Sequence, residues 1–280
     1  MIAVAFFTLL ERKLLGYFQI RKGPNKPGYL GLFVPFADAT KLIAKENNKP
    51  KNANQNIFMY VPLITLLIPL LLWIVYPSPH SSLHFSYSLL WFISVASVGV
   101  FVLLGAGWSR NRKYSLLGAV RAVAQSISYE VALSIIVIHS ALFFAFPLYN
   151  DKLSSLGPPL FFVMSILFVT ILAETNRSPF DFSEGESELV SGYNTEYSSV
   201  PFVIIFLAEY ISIIFISAVM RLIFNGTSYF DSFLFLVLWC IVFVWSRGTL
   251  PRLRYDQLMD LAWKRYLPLV LSSLCLIITL

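Results

Sequence analysis

Between two long apolar runs lies a segment whose side chains can trade protons. It opens Ala173-Glu174-Thr175-Asn176-Arg177-Ser178-Pro179-Phe180-Asp181, passes through Glu184, Glu186 and Glu188, and closes on Glu196 and Tyr197. Six of the fifteen acids in the chain fall within residues 173–197, and Arg177 is the one base there. Carboxylates crowded in this way repel one another and titrate as a coupled group. In a helix Glu184 and Glu188 share a face, and Glu174 and Arg177 stand at a spacing that allows an ion pair. Pro179 breaks a helix, while Gly185 and Gly192 permit sharp reversals. The plain alternative is a solvated acidic loop.

Two further acids stand alone inside apolar runs. Glu130 lies within Leu116–Phe146, where Ser126, Glu130 and Ser134 recur at i, i+4 and i+8 and draw a polar stripe along a helix. Arg121 sits about half a turn round from Glu130 and does not face it. Glu130 therefore needs a partner on another helix, a chain of water, or a proton of its own. Glu209, between Ala208 and Tyr210, repeats the theme. An acid embedded in a membrane segment is by default functional, the bland reading being a neutral carboxyl that packs helices together.

Other chemistries find little support. Cys240 and Cys275 both sit in apolar runs, where cysteine behaves as a small hydrophobe. Of three histidines only His139 falls inside a span, which rules out a paired-histidine haem site. There is no Cys-x-x-Cys, and Gly105-Ala106-Gly107 lacks the context of a nucleotide loop.

The elements that hold these acids are long and apolar. The 280 residues are 57% hydrophobic and 13% charged, where soluble chains average about 25% charged. A membrane-crossing helix needs about 20 apolar residues. The expected spans are Ile57–Tyr76, Phe85–Gly107, Leu116–Phe146, Pro159–Thr175, Val200–Met220, Phe230–Ser246 and Tyr266–Leu280. Met1–Leu10 adds a first span that reads as truncated, since ten helical residues reach about 15 Å across a core of about 30 Å. The expectation is an all-α polytopic bundle of about eight transmembrane helices, forming one integral-membrane domain over residues 1–280. Nineteen of the twenty-one Lys and Arg fall in the first, third, fifth and seventh loops. Under the positive-inside rule these four loops share the matrix or cytoplasmic face. Residues 33–46 read as an amphipathic interfacial helix, with Phe33, Phe36, Ala37, Thr40, Ile43 and Ala44 on one side. Nothing in the basic pattern points to nucleic acid.

The runs Glu174–Asp181 and Glu184–Gly192, with Glu11–Asn25, Pro35–Leu42, Leu117–Glu130, Ala208–Tyr210 and Pro251–Leu258, closely resemble one family. They are similar to the quinone-channel membrane subunits of respiratory complex I, the NADH:ubiquinone oxidoreductase chain 1 family. The resemblance implies a subunit that builds a tunnel for ubiquinone and an acidic passage coupling its reduction to proton translocation. It implies Arg21, Asp38, Arg177, Arg247, Arg252 and Arg254 at or near the tunnel. It implies Glu130, Glu174, Asp181, Glu184, Glu186, Glu188, Glu196 and Glu209 in the passage. No redox centre is expected on this chain; FMN and iron–sulfur clusters would belong to partner subunits, with ubiquinone as substrate. The partners implied are the quinone-site peripheral-arm subunits, small membrane subunits and lipid, in the mitochondrial inner membrane or a bacterial plasma membrane. A related membrane-bound hydrogenase that uses no quinone shares these motifs, and a stand-alone carboxylate-driven antiporter is the third reading.

Overall fold

A computed structural model of the chain describes residues 1–47, 50–51, 53–76, 87–145, 157–181, 192–194, 197–225 and 229–279. Among them there are helices and no strand. In chain order the helices are α1 (Ile2–Phe18), α2 (Val34–Ile43), α3 (Gln55–Trp73), α4 (Ser88–Trp108) and α5 (Lys113–Ala145). There follow α6 (Gly157–Glu174), α7 (Ser199–Asn225), α8 (Tyr229–Thr249), α9 (Tyr255–Asp260) and α10 (Leu267–Thr279). Among the described residues α3, most of α5, α4 and most of α7 are long and apolar enough to cross a membrane. Within α6 and α8, Ser165–Glu174 and Phe233–Thr249 are shorter apolar stretches.

Two expected boundaries move. The first helix does not stop at Leu10; it continues through Glu11, Arg12 and Lys13 to Phe18. The charges are accommodated individually. Glu11 is buried against Arg247 and Tyr210, while Arg12 turns outward to Asp38 at 2.6 Å. The last helix starts well before Tyr266. Helix α9 runs into a π-helical turn over Leu261–Tyr266 and then into α10, so helical backbone extends from Tyr255 to Thr279. At about 1.5 Å per residue this rod reaches roughly 37 Å, longer than the expected fifteen-residue span.

Helix α5 is the axis of the bundle. It packs between α4 and α6, and its other neighbours include the π-helical turn and α10. Its approach to α4 is close because Gly107 carries no side chain. A β-carbon there would overlap that of Ala119 and come within 2.8 Å of the Ser115 carbonyl. Helix α3 packs on α4 and α7, and α1 on α8. Two prolines, Pro62 and Pro69, sit inside α3. The Thr65 hydroxyl donates to the Pro62 carbonyl at 2.6 Å.

The four odd-numbered connections meet at one end of the bundle. Asn54 N–H donates to the Ser109 carbonyl at 2.7 Å, joining the first to the third. Arg110 stacks over the Tyr197 ring at 4.0 Å, joining the third to the fifth. Leu253 N–H donates to the Pro179 carbonyl at 3.2 Å, joining the seventh to the fifth. Helix α2 lies alongside α1 and α7, burying Val34 and Pro35. The face expected to be apolar is largely uncovered: Phe33, Phe36 and Ile43 are exposed, with the Phe36 ring edge-on to Phe6 of α1.

One side chain ties α5 to the turn after α6. Gln125 is fully buried, and its amide donates to the Ala173 and Phe180 carbonyls, each at 2.9 Å. These carbonyls bracket the turn that carries Glu174 and Arg177. Gln125→Leu removes a donor from both; the Ala173 carbonyl keeps the Asn176 N–H at 3.3 Å, so the loss falls mainly on the Phe180 carbonyl, at about 1–3 kcal/mol. The expected outcome is a lower midpoint in thermal inactivation; a Gln125→Leu protein as heat-resistant as its parent contradicts the clamp.

Candidate functional site

Five helices, α3 to α7, line a partly open cavity of about 170 Å³. Glu130 of α5, Glu174 at the end of α6 and Glu209 of α7 all line it. The hydroxyls of Thr65, Ser126, Thr175 and Ser212, with the Asn176 amide, add polar groups, and the remaining wall is aliphatic with Phe92 and Tyr193. The sequence explains this arrangement locally. Ser126 and Glu130 lie one turn apart on α5, as the spacing predicts. The stripe then turns apolar through Leu133 and Val137, while the Ser134 hydroxyl donates back to the Val131 carbonyl at 2.9 Å. Pro179 falls just past the end of α6, and Glu174 forms its last residue.

Beside the cavity runs a chain of half-buried polar contacts. Arg247 of α8 is paired with Glu11 of α1. The Tyr210 hydroxyl donates to the other Glu11 oxygen, Oε2, at 2.6 Å. The Arg177 guanidinium lies over the Tyr210 ring, 4.6 Å from its centre, and reaches Glu209 Oε2 at 3.5 Å. The Tyr193 hydroxyl donates to Glu209 Oε1 at 2.5 Å. Thus Arg247, Glu11, Tyr210, Arg177, Glu209 and Tyr193 form one connected path from α8 to the cavity wall. A small void of about 20 Å³ lies between Phe7, Glu11, Arg177 and Arg247. That is enough room for a single water molecule.

The remaining expected residues sit further out. Arg252 pairs with Asp181 at 3.1 Å, so this acid belongs to the junction of the fifth and seventh connections. Asp38 is held by Arg12 on the surface. Arg21 is exposed and donates to the Gln19 side chain at 2.9 Å, and Arg254 is exposed beside Asp256 at 3.1 Å. Glu184, Glu186, Glu188 and Glu196 lie outside the described residues. Next to Glu196, Tyr197 is sandwiched between Phe58, at 4.4 Å between ring centres, and Arg110. Burial pushes its phenol pKa up, against the opposing pull of the Arg110 charge.

Reasoning from sequence passes over three members of this network. Glu11 reads as the charge that ends a span, and Tyr193 and Tyr210 read as neighbours of more obvious residues. The available signal is the continued apolar periodicity past Glu11, through Leu14 and Leu15, which marks it as an acid inside a helix and in need of a partner.

Comparison with known proteins agrees with the architecture. The chain is 47% identical to NADH-ubiquinone oxidoreductase chain 1 of Aedes aegypti over 283 residues, covering 98% of this chain and 90% of that one. Identity is 48% over 285 residues with the protein of the same name from Anopheles gambiae, at the same coverages. With that of Artemia franciscana it is 46% over 284 residues, covering 98% and 93%. A family model described as NADH dehydrogenase matches residues 1–278. With end-to-end matches of this kind to both a family and its individual members, the chain belongs to the NADH dehydrogenase family.

Proposed function

We propose that this chain is the membrane subunit of NADH:ubiquinone oxidoreductase that guides ubiquinone and couples its reduction to proton translocation. The observation that carries the reading is the convergence of Glu130, Glu174 and Glu209 on one cavity, joined through Arg177 and Tyr210 to Glu11 and Arg247. The names of its relatives, all of them chain 1 of NADH-ubiquinone oxidoreductase, support the assignment to respiratory complex I. In this reading Glu130, Glu174 and Glu209 take up and release protons, with Asp181, Glu184, Glu186, Glu188 and Glu196 extending the passage toward the loop. Arg21, Asp38, Arg177, Arg247, Arg252 and Arg254 line or flank the route of the quinone. A moving quinone needs apolar walls for its isoprenoid tail and polar stations that let it go again. FMN and iron–sulfur clusters are carried by partner subunits.

The chain forms one integral-membrane domain with eight crossings of the mitochondrial inner membrane, in which α9 and α10 act as the last crossing. The odd-numbered connections face the matrix, as their basic residues favour. Helix α2 lies in the headgroup plane, and its outward Phe33, Phe36 and Ile43 support this placement. Peripheral-arm subunits dock over the basic end, and small membrane subunits and lipid cover the sides.

Replacing the acids with their amides tests the reading. Glu130→Gln and Glu209→Gln keep shape and lose the titrating group, so the complex assembles. Coupled quinone reduction falls by about tenfold or more, the scale of a lost proton-transfer group. Measured side by side, normal turnover and normal proton pumping in both variants would remove the proton role. Retained, tightly bound quinone in the purified complex separates this reading from a hydrogenase-like subunit.

The junction of the two connections makes a second prediction. The Arg252–Asp181 pair is partly solvent-exposed, so breaking it costs at most about 1 kcal/mol of stability. Arg252→Asp is expected to impair quinone reductase activity, and Arg252→Asp with Asp181→Arg to recover it. Equal activities in the single and double variants would show that the pair is not what orders this junction.

A further inference from the structure

Gly99 sits in the middle of α4, where glycine weakens a helix. Two ordinary reasons for a glycine are absent. Its φ lies outside the left-handed region, and a β-carbon at this position would meet no heavy atom within 4 Å. Gly107, two turns further on, shows the opposite case, since any side chain there collides with α5. Gly99 is therefore not a packing glycine. It lines the cavity together with Phe92, Ala96 and Leu103, which recur with it at helical spacing on one face. What its missing side chain does is leave space.

That space lies at the depth of the acids. The contact between Gly107 and Ala119 fixes the antiparallel register of α4 and α5. Stepping two turns back along α4 and forward along α5 brings Gly99 level with Ser126 and Glu130. Phe92 packs on Phe215 with ring centres 6.0 Å apart, which fixes the register of α4 and α7. The same stepping brings Gly99 level with Glu209. Two more atoms point to what fills the volume. Glu174 Oε2 and Asn176 Oδ1 are buried at the cavity and accept no hydrogen bond among the described residues. Buried acceptors of this kind are met by water where there is room, and about 170 Å³ admits several molecules.

We propose that Gly99 keeps a chain of water continuous between Glu130 and Glu209, and so controls whether protons pass between them. The inference rests on the reading of these carboxylates as proton carriers. A β-carbon at position 99 meets no protein atom, so a side chain there enters the space left to water. Gly99→Leu fills the gap with hydrocarbon, Gly99→Ala narrows it, and Gly99→Ser narrows it while supplying a hydroxyl in place of one water.

The test places these three changes in the assembled complex and reads the rate of quinone reduction and the protons pumped per NADH, beside Glu130→Gln and Glu209→Gln. The amount of assembled complex is expected to hold in all. Gly99→Leu lowers pumping about tenfold and Gly99→Ala about twofold, whereas Gly99→Ser stays near the parent, the pattern of an interrupted proton path. If the acid variants fail and Gly99→Leu pumps normally, the role of Gly99 is overturned and the reading of the acids stands. If the acid variants pump normally, the reading itself fails, whatever Gly99→Leu does. Should the leucine complex not assemble, alanine and serine decide: equal pumping in the two overturns the proposal.

Discussion

A carboxylate deep among apolar helices has to be answered, and Glu11 is answered twice. Arg247 neutralises its charge and the Tyr210 hydroxyl satisfies its second oxygen. Taking an ion out of water costs several kcal/mol, which good geometry and further hydrogen bonds must offset. Three helices are therefore obliged to meet in one arrangement: α1 brings the acid, α8 the arginine and α7 the tyrosine. Tyr210 then offers its ring face to Arg177, and Arg177 reaches Glu209. Each contact fixes the next. The acid that faces the cavity is held by the same path that closes α1 onto the bundle.

The same logic explains why the polar groups lie where they do. An unpaired polar atom costs several kcal/mol in hydrocarbon. Along α5 the polar side chains divide by direction. Gln125 clamps the turn after α6, Ser126 and Glu130 face the cavity, and Ser128 accepts a hydrogen bond from the Trp263 indole at 3.2 Å. Tyr129 donates to the Leu258 carbonyl at 3.0 Å, tying α5 to the last helical rod. A single helix thus positions the site on one face and the helices that enclose it on the others.

Much of this was legible in the chain before any coordinates. The 3.6-residue period and the length of the apolar runs place six of the helices to within a few residues. The alternation of basic loops matches the gathering of the four odd connections at one end. Glu130 and Glu209 stand out because an acid in such a run needs a partner, water or a proton of its own, and both line the cavity. What stays hidden depends on long-range pairing. The end of α1 lies beyond Leu10 although Glu11, Arg12 and Lys13 read as the charges that close the span. Their partners Arg247, Tyr210 and Asp38 lie elsewhere in sequence, so local polarity alone cannot show that a helix carries on through them. The last helix reads short for a related reason. Lys264 and Arg265 look like loop residues, yet Lys264 pairs with Asp260 one turn back, at 2.8 Å on the surface of a helix. Tyr193 offers no local signal, because its role is set by a carboxylate on the next helix.

The central claim is that the cavity carboxylates change protonation when quinone is reduced. Infrared difference spectroscopy of the assembled complex, recorded across quinone reduction with isotope-labelled glutamate, observes this directly. The account predicts carboxyl stretching changes that shift with the label and disappear when Glu130 and Glu209 are replaced by glutamine. A spectrum whose glutamate carboxyl bands stay unchanged while quinone is fully reduced would contradict it.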